Sequence, residues 1–214
     1  MFGDPVTNPM GGEVERLKDI TLAIQSGNTP KGGKQVYVEA GIAFFRSQNV
    51  WRNSIELDDI AYIDEKTHKK MHQTSLKHKD ILITKTGRFN TENSSLGRAA
   101  LFLGEDNSAN INGHVYLVRL NEGIAHEFVL HILTTDEYRD YIRKVCVGGI
   151  DKRQINKEHL EEFPIIMPPA ELQHQFSDFF MQVEAQKSLL QQSLDKLELN
   201  YKSLMQKCFQ GWIL

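Results

Sequence analysis

The stretch "PPAELQHQFSDFFMQVEAQKSLLQQSLDKLELNYKSLMQKCF", Pro168 to Phe209, constrains this chain more than any other, because it is one unbroken helical pattern with no equal elsewhere in the sequence. Its apolar positions run Leu172, Phe176, Phe179, Val183, then Leu190, Leu194, Leu197, Tyr201, Leu204 and Cys208, and the last five steps are 4, 3, 4, 3 and 4 residues. That alternation averages 3.5, the period at which helices wrap around one another. Pro169 suits a first helical turn, and Glu171 complements the positive end of the helix dipole. At 1.5 Å per residue, about 40 residues make a rod of roughly 60 Å, longer than the preceding body needs for its own core. Two placements are open: the helix lies across its own domain, or part of its seam meets another chain. The second is expected, with Leu190, Leu194, Leu197, Tyr201 and Leu204 as the dimerisation seam.

The rest of the chain limits what such a rod can serve. At 214 residues and 40% apolar content, it is expected to hold one globular domain, residues 1–167, followed by the helix over 168–214. Cys146 and Cys208 show neither CxxC nor Cys/His zinc spacing, so no disulfide framework or structural metal site is expected and a reducing cytoplasm is the default. No apolar run reaches the length of a membrane span, and the N-terminus has no secretion-signal pattern. The net charge of −3 is polarised. Lys66 to Arg98 holds eight Lys/Arg against two acids, whereas Gln154 to Leu214 holds five Lys against eight Asp/Glu. Charge alone leaves a solvated face and a polyanion-binding face equally open.

Along the body, "DILITKTGRFN" predicts a buried strand at Ile81–Thr84 running into a polar, glycine-containing loop. "VYVEAGIAFFRSQNV", "GRAALFLG", "NGHVYLVRL" and "EFPIIMPP" predict further strands, the last closed by two prolines. "IAHEFVLHILTTDEYRDYIRKVC" changes to helical spacing, while "DDIAYIDEK" reads as an exposed segment. The fold class expected is α+β, a β-rich mixed body followed by one long coiled-coil-forming helix.

Four stretches resemble, in order and over nearly the whole chain, the DNA-specificity subunits of type I restriction-modification systems. These are "GNTPKGGKQVYVEAGIAFFRSQNV", "DILITKTGRFNTENSSLGRAALF", "GGIDKRQINKEHLEEFPIIMPPAELQHQF" and "LQQSLDKLELNYKSLMQKCFQG". Within them, "FPIIMPPAELQHQF" leading into the heptads is specific, and the G-x-T-P loop alone is weak. Gly12 stands where the family often has Trp. The resemblance implies that the body is a target recognition domain reading one half of a bipartite DNA site and that the helix is a spacer. A standard member carries two of each, so the resemblance makes this sequence a half-subunit whose missing partner is supplied by a second copy, the two helices antiparallel and the target palindromic and interrupted.

Base readout needs Arg, Asn or Gln on rigid loops, and phosphate contacts need Lys or Arg beside them. Four loops have that composition, each of which could also be an ordinary exposed turn. They offer Lys31 and Lys34; Arg46, Gln48, Asn49 and Arg52; Lys85, Arg88, Asn90 and Arg98; and Lys152, Arg153 and Gln154. No catalytic residue is expected. His68 and His72 are four apart without an HExxH context, "TKTGR" is not a phosphate-binding P-loop, and no methyl-donor fingerprint occurs. The resemblance places the chemistry on partners: a modification subunit methylating adenine with S-adenosylmethionine, and a restriction subunit using ATP and Mg2+, while this chain binds no cofactor itself. A coiled-coil assembly module that never touches DNA is the competing reading, and the salt dependence of DNA binding separates the two.

Overall fold

Every side chain of Ile81–Thr84 is buried, and the layers are built around this strand. The computed structural model describes residues 4, 6–88, 91, 93–149 and 151–209. In chain order the strands and helices are β1 (Val14–Arg16), β2 (Thr21–Ser26), β3 (Ile42–Phe45), β4 (Ala61–Ile63), α1 (Glu65–Lys70), β5 (Ile81–Thr84), β6 (Thr86–Gly87), β7 (Ala99–Leu101) and β8 (Ala109–Ile111). They continue with β9 (Val115–Leu120), α2 (His126–Leu133), α3 (Asp136–Val145), β10 (Val147–Gly149), β11 (Lys152–Gln154), α4 (Lys157–Glu161), β12 (Pro164–Ile166) and α5 (Ala170–Phe209). The architecture is α+β, a β-rich body carrying one long C-terminal helix.

The principal sheet is antiparallel with order β2-β9-β5-β7. Because successive strand residues point to opposite faces, Ile81 and Ile83 join one core while Leu82 joins another. The first core lies against Phe128, Val129 and Leu133 of α2, Tyr138 and Ile142 of α3, and Phe163. The second lies against Phe45 and Ile111 of the sheet β4-β3-β8, in which β3 and β8 run parallel, and against Val50 of the loop after β3. Helices cover one face of the principal sheet and a second sheet covers the other, which is why the strand sequence is continuously apolar rather than alternating. A third small sheet, β10-β11-β6, extends the loop end of β5.

One local reading of the sequence is made more specific and another is corrected. The helical pattern over residues 124–146 is two helices, because the Thr134 and Thr135 hydroxyls donate back to the His131 and Ile132 carbonyls and Thr135 then caps α3 by accepting from the Tyr138 N–H. "DDIAYIDEK" is not simply exposed: Ala61 and Ile63 are buried in β4, and Asp64 caps α1 through the Thr67 N–H at 2.6 Å. That cap turns His68 toward Asn110, 3.3 Å from its Nδ1, and Ser75, 3.5 Å from its Nε2, while His72 is exposed.

The first turns of α5 are anchored to the body. Gln173, 3% exposed, accepts from the Ala125 N–H at the start of α2 and donates to the Pro168 carbonyl. Phe176 meets Phe128 edge-on at 5.6 Å and His131 at 4.9 Å. From Ala185 to Phe209 every described side chain is exposed, including the heptad leucines.

Partial burial is the first cause that holds His68, His114, His126 and His131 below the ordinary imidazole pKa of 6.5. Their folded values are depressed, so the unfolded chain binds protons more readily and stability rises with pH through this range. The urea midpoint should be flat above about pH 7 and fall as pH drops below about 6.5. A midpoint unchanged between pH 7 and 5 would contradict this assignment.

Candidate nucleic-acid interface

Beyond Thr84, the β5 backbone is held by two distant segments. The Lys85 N–H donates to the His114 carbonyl at 2.8 Å, and the Lys85 carbonyl accepts from the Ile155 N–H at 2.9 Å. β6 then pairs with β11, setting Gly87 opposite Arg153 and Thr86 opposite Gln154. Lys85, Lys152 and the His114 imidazole therefore share one patch, with His114 Nδ1 3.4 Å from the Thr86 hydroxyl and Lys85 Nζ 5.2 Å over the Tyr116 ring. Burial, then Lys152, then Lys85 push the His114 pKa down. This patch is a local concentration of positive potential that an anion relieves.

The loop that follows is braced from inside. The Ser95 hydroxyl donates to the Thr86 carbonyl at 2.8 Å, the Ser94 hydroxyl donates to the Arg88 carbonyl, and the Thr84 hydroxyl donates to the Ser95 carbonyl. At Gly87 a Cβ would sit 2.3 Å from the Leu96 nitrogen, so only glycine lets the two limbs approach. Arg98 donates through Nε to Ser94 and through Nη2 to Asn93, and its guanidinium lies 3.8 Å over the Trp51 ring. Arg88 is exposed at the loop's start, and Asn90 lies outside the described residues.

The remaining candidates divide. Lys31 and Lys34 are exposed on a loop whose base is wedged beside the His114 turn: a Cβ on Gly27 would stand 2.2 Å from the Asn112 carbonyl oxygen. Arg46 has a side chain only 12% exposed and pairs with Asp59 at 3.1 Å, and Gln48 donates to the same carboxylate. Hydrogen bonding from Arg46 is the first cause that holds the Asp59 carboxyl below the usual range. Asn49 is 1% exposed, and its amide donates to the Glu56 and Asp59 carbonyls while its oxygen accepts from the Arg46 N–H. Asn49 thus braces this loop from within and presents no edge to a ligand, and Arg46 is committed to Asp59. Arg52 is exposed beside Trp51. Arg153 is half-buried with Nη1 3.4 Å from the Cys146 carbonyl, and Gln154 donates to Asn156 at 3.0 Å.

Two residues of the surface went unnoticed in the sequence. Trp51 is 40% exposed and pinned by its Nε1–H to the Gln48 carbonyl at 3.0 Å. His114 follows the Asn112–Gly113 turn, and that turn was the available signal, since such a dipeptide places the next side chain at a loop tip.

Residues 9–199 match the family described as the type I restriction modification DNA specificity domain. The chain belongs to this family. A chain named as the specificity subunit of the type I restriction enzyme MjaX of Methanocaldococcus jannaschii is 22% identical over 202 residues, which are 94% of this chain and 46% of that one. Among solved structures, a chain described in work on the assembly and conformational transition of the type I R-M system superposes with a TM-score of 0.61 at 18% identity, over 92% of this chain and 44% of that one. The HsdS subunit from Thermoanaerobacter tengcongensis gives 0.54 at 16% identity, over 86% and 40%. These likenesses establish a shared fold, and the chain spans less than half the length of each relative. The family's description is that of a DNA specificity domain.

Proposed function

We propose that this chain reads one half of an interrupted DNA target and pairs with a second copy through α5, so that two identical bodies face two inverted half-sites. The observation that carries the reading is the patch made by Lys85, His114 and Lys152, drawn from three separate segments and continuous with the braced loop of Arg88. Lys31, Lys34, Lys85 and Lys152 suit phosphates, and Arg88 and Gln154 suit base edges. Arg98, fixed on Trp51, holds the loop's shape. In the same reading α5 and its flanks dock a modification subunit using S-adenosylmethionine and a restriction subunit using ATP and Mg2+, in the cytoplasm, and residues 1–167 act as the recognition domain with 168–214 as spacer.

Binding measured by gel shift over a series of salt concentrations tests this. The logarithm of affinity should fall steeply and linearly with the logarithm of salt. Arg88→Ala should cost about 1–3 kcal/mol and relax preference at one base position if Arg88 contacts a base, or weaken all sequences alike and lower the salt slope by about 1 if it contacts a phosphate. Salt-insensitive or undetectable binding would favour an assembly module that does not touch DNA.

A further inference from the structure

The loop that begins at Arg88 walls, at its other end, a cleft of about 330 Å3 between Trp51, Arg52, Ser94, Arg98 and the α2–α3 junction. Cavities of this order hold small ligands. Its floor is apolar, with Leu96, Leu133 and Ile142, and its rim carries Arg52, Arg98 and Arg139, while none of the described lining residues is acidic. Arg52 and Arg98 lie close enough that the charge of one lowers the pKa of the other, after burial as the larger cause. The one carboxylate paired with Arg52 in the described structure, Asp136, is at 4.0 Å on an exposed edge. Two guanidiniums are thus held together without close neutralisation, and one is fixed flat on an indole. A flat group can stack on an aromatic ring or a guanidinium plane, and an anion relieves the repulsion between the cations.

We propose that this cleft binds a 5′-nucleotide unit, with the phosphate on Arg52 and Arg98 and the base against the Trp51–Arg98 stack. The site would accept a free mononucleotide or one unit of a DNA strand. It does not depend on target reading, since it requires only the cleft itself.

The test uses the full chain carrying Trp212→Phe, which leaves Trp51 as its single tryptophan. Deoxyadenosine 5′-monophosphate is titrated by Trp51 fluorescence and by calorimetry, beside deoxyadenosine and inorganic phosphate. Saturable binding is expected, at least about tenfold weaker for deoxyadenosine and about tenfold or more weaker in Arg52→Ala, since hydrogen bonds to charged groups have that worth. Arg52 is half-exposed, so its variant should keep the wild-type circular dichroism spectrum. Displacement of the mononucleotide by a short single strand would identify the strand as the source, and absence of displacement would identify a free nucleotide. No saturable signal by either method, or equal affinity for deoxyadenosine, or an unchanged affinity in Arg52→Ala, would overturn the proposal. Loss of gel-shift activity with mononucleotide binding intact would count against target reading alone.

Discussion

Leu194→Glu together with Leu197→Glu should convert a dimer into a folded monomer. Both side chains are exposed in the single chain, at 48% and 66%, on the part of α5 where every described side chain is exposed, so circular dichroism and the urea midpoint at low protein concentration should change little. In a paired helix each buried leucine contributes about 1.5–3 kcal/mol, and the two copies together lose four. The loss is on the order of 6 kcal/mol or more before the repulsion and desolvation of new carboxylates, which is about 10^4-fold in the dimer dissociation constant. Sedimentation should show twice 24.5 kDa for the parent and 24.5 kDa for the variant at micromolar concentration. The same preparation reports helix direction. Cys208 is exposed near one end of the seam, so a parallel pair would oxidise readily to a disulfide-linked dimer, whereas an antiparallel pair would hold the two thiols far apart.

Arg119→Ala should be among the most destabilising single changes in the body. Arg119 on β9 donates through Nε and Nη2 to both oxygens of Asp80, at 2.8 and 2.6 Å, and to the Ser75 carbonyl at 3.1 Å. Asp80 is 2% exposed and otherwise accepts from the Lys77 N–H at 2.7 Å. Removing the guanidinium leaves a buried carboxylate without its cation, a change that costs about 3–5 kcal/mol. Urea unfolding should show a lower midpoint with unchanged slope. Because Asp80 immediately precedes β5, the variant should also bind DNA less well, through loss of the strand that delivers Lys85. An apolar double variant, Asp80→Leu with Arg119→Met, should recover much of the stability, since what destabilises the single variant is the unpaired charge.

What the sequence made legible is what local pattern encodes. The β5 strand and its loop were visible because three apolar residues, Ile81, Leu82 and Ile83, lead into a polar, glycine-containing turn, and α5 because its leucines keep a heptad over several turns. The break between α2 and α3 was hidden since two threonines interrupt the backbone without disturbing apolar spacing. Short elements such as β4 and α4 carry too few residues for a period to register. At the candidate interface, composition located the loops but not the direction of their side chains. Arg46, Gln48 and Asn49 look like a polar reading edge, yet Asp59 and the carbonyls around it draw them inward. The Lys85, His114 and Lys152 patch was illegible for the opposite reason: it exists only once non-local pairings of β5, β6, β9 and β11 are made.

The central claim is that two identical readers are held at a fixed separation by α5. Selection of binding duplexes from a random DNA pool by the full chain tests it with no target sequence assumed. The enriched sequences should contain one short motif twice, inverted, across a gap of constant length, and the Leu194→Glu, Leu197→Glu variant should lose the requirement for the second copy. Enrichment of a single uninterrupted motif by the parent chain, or of two motifs at indifferent spacing, would contradict it.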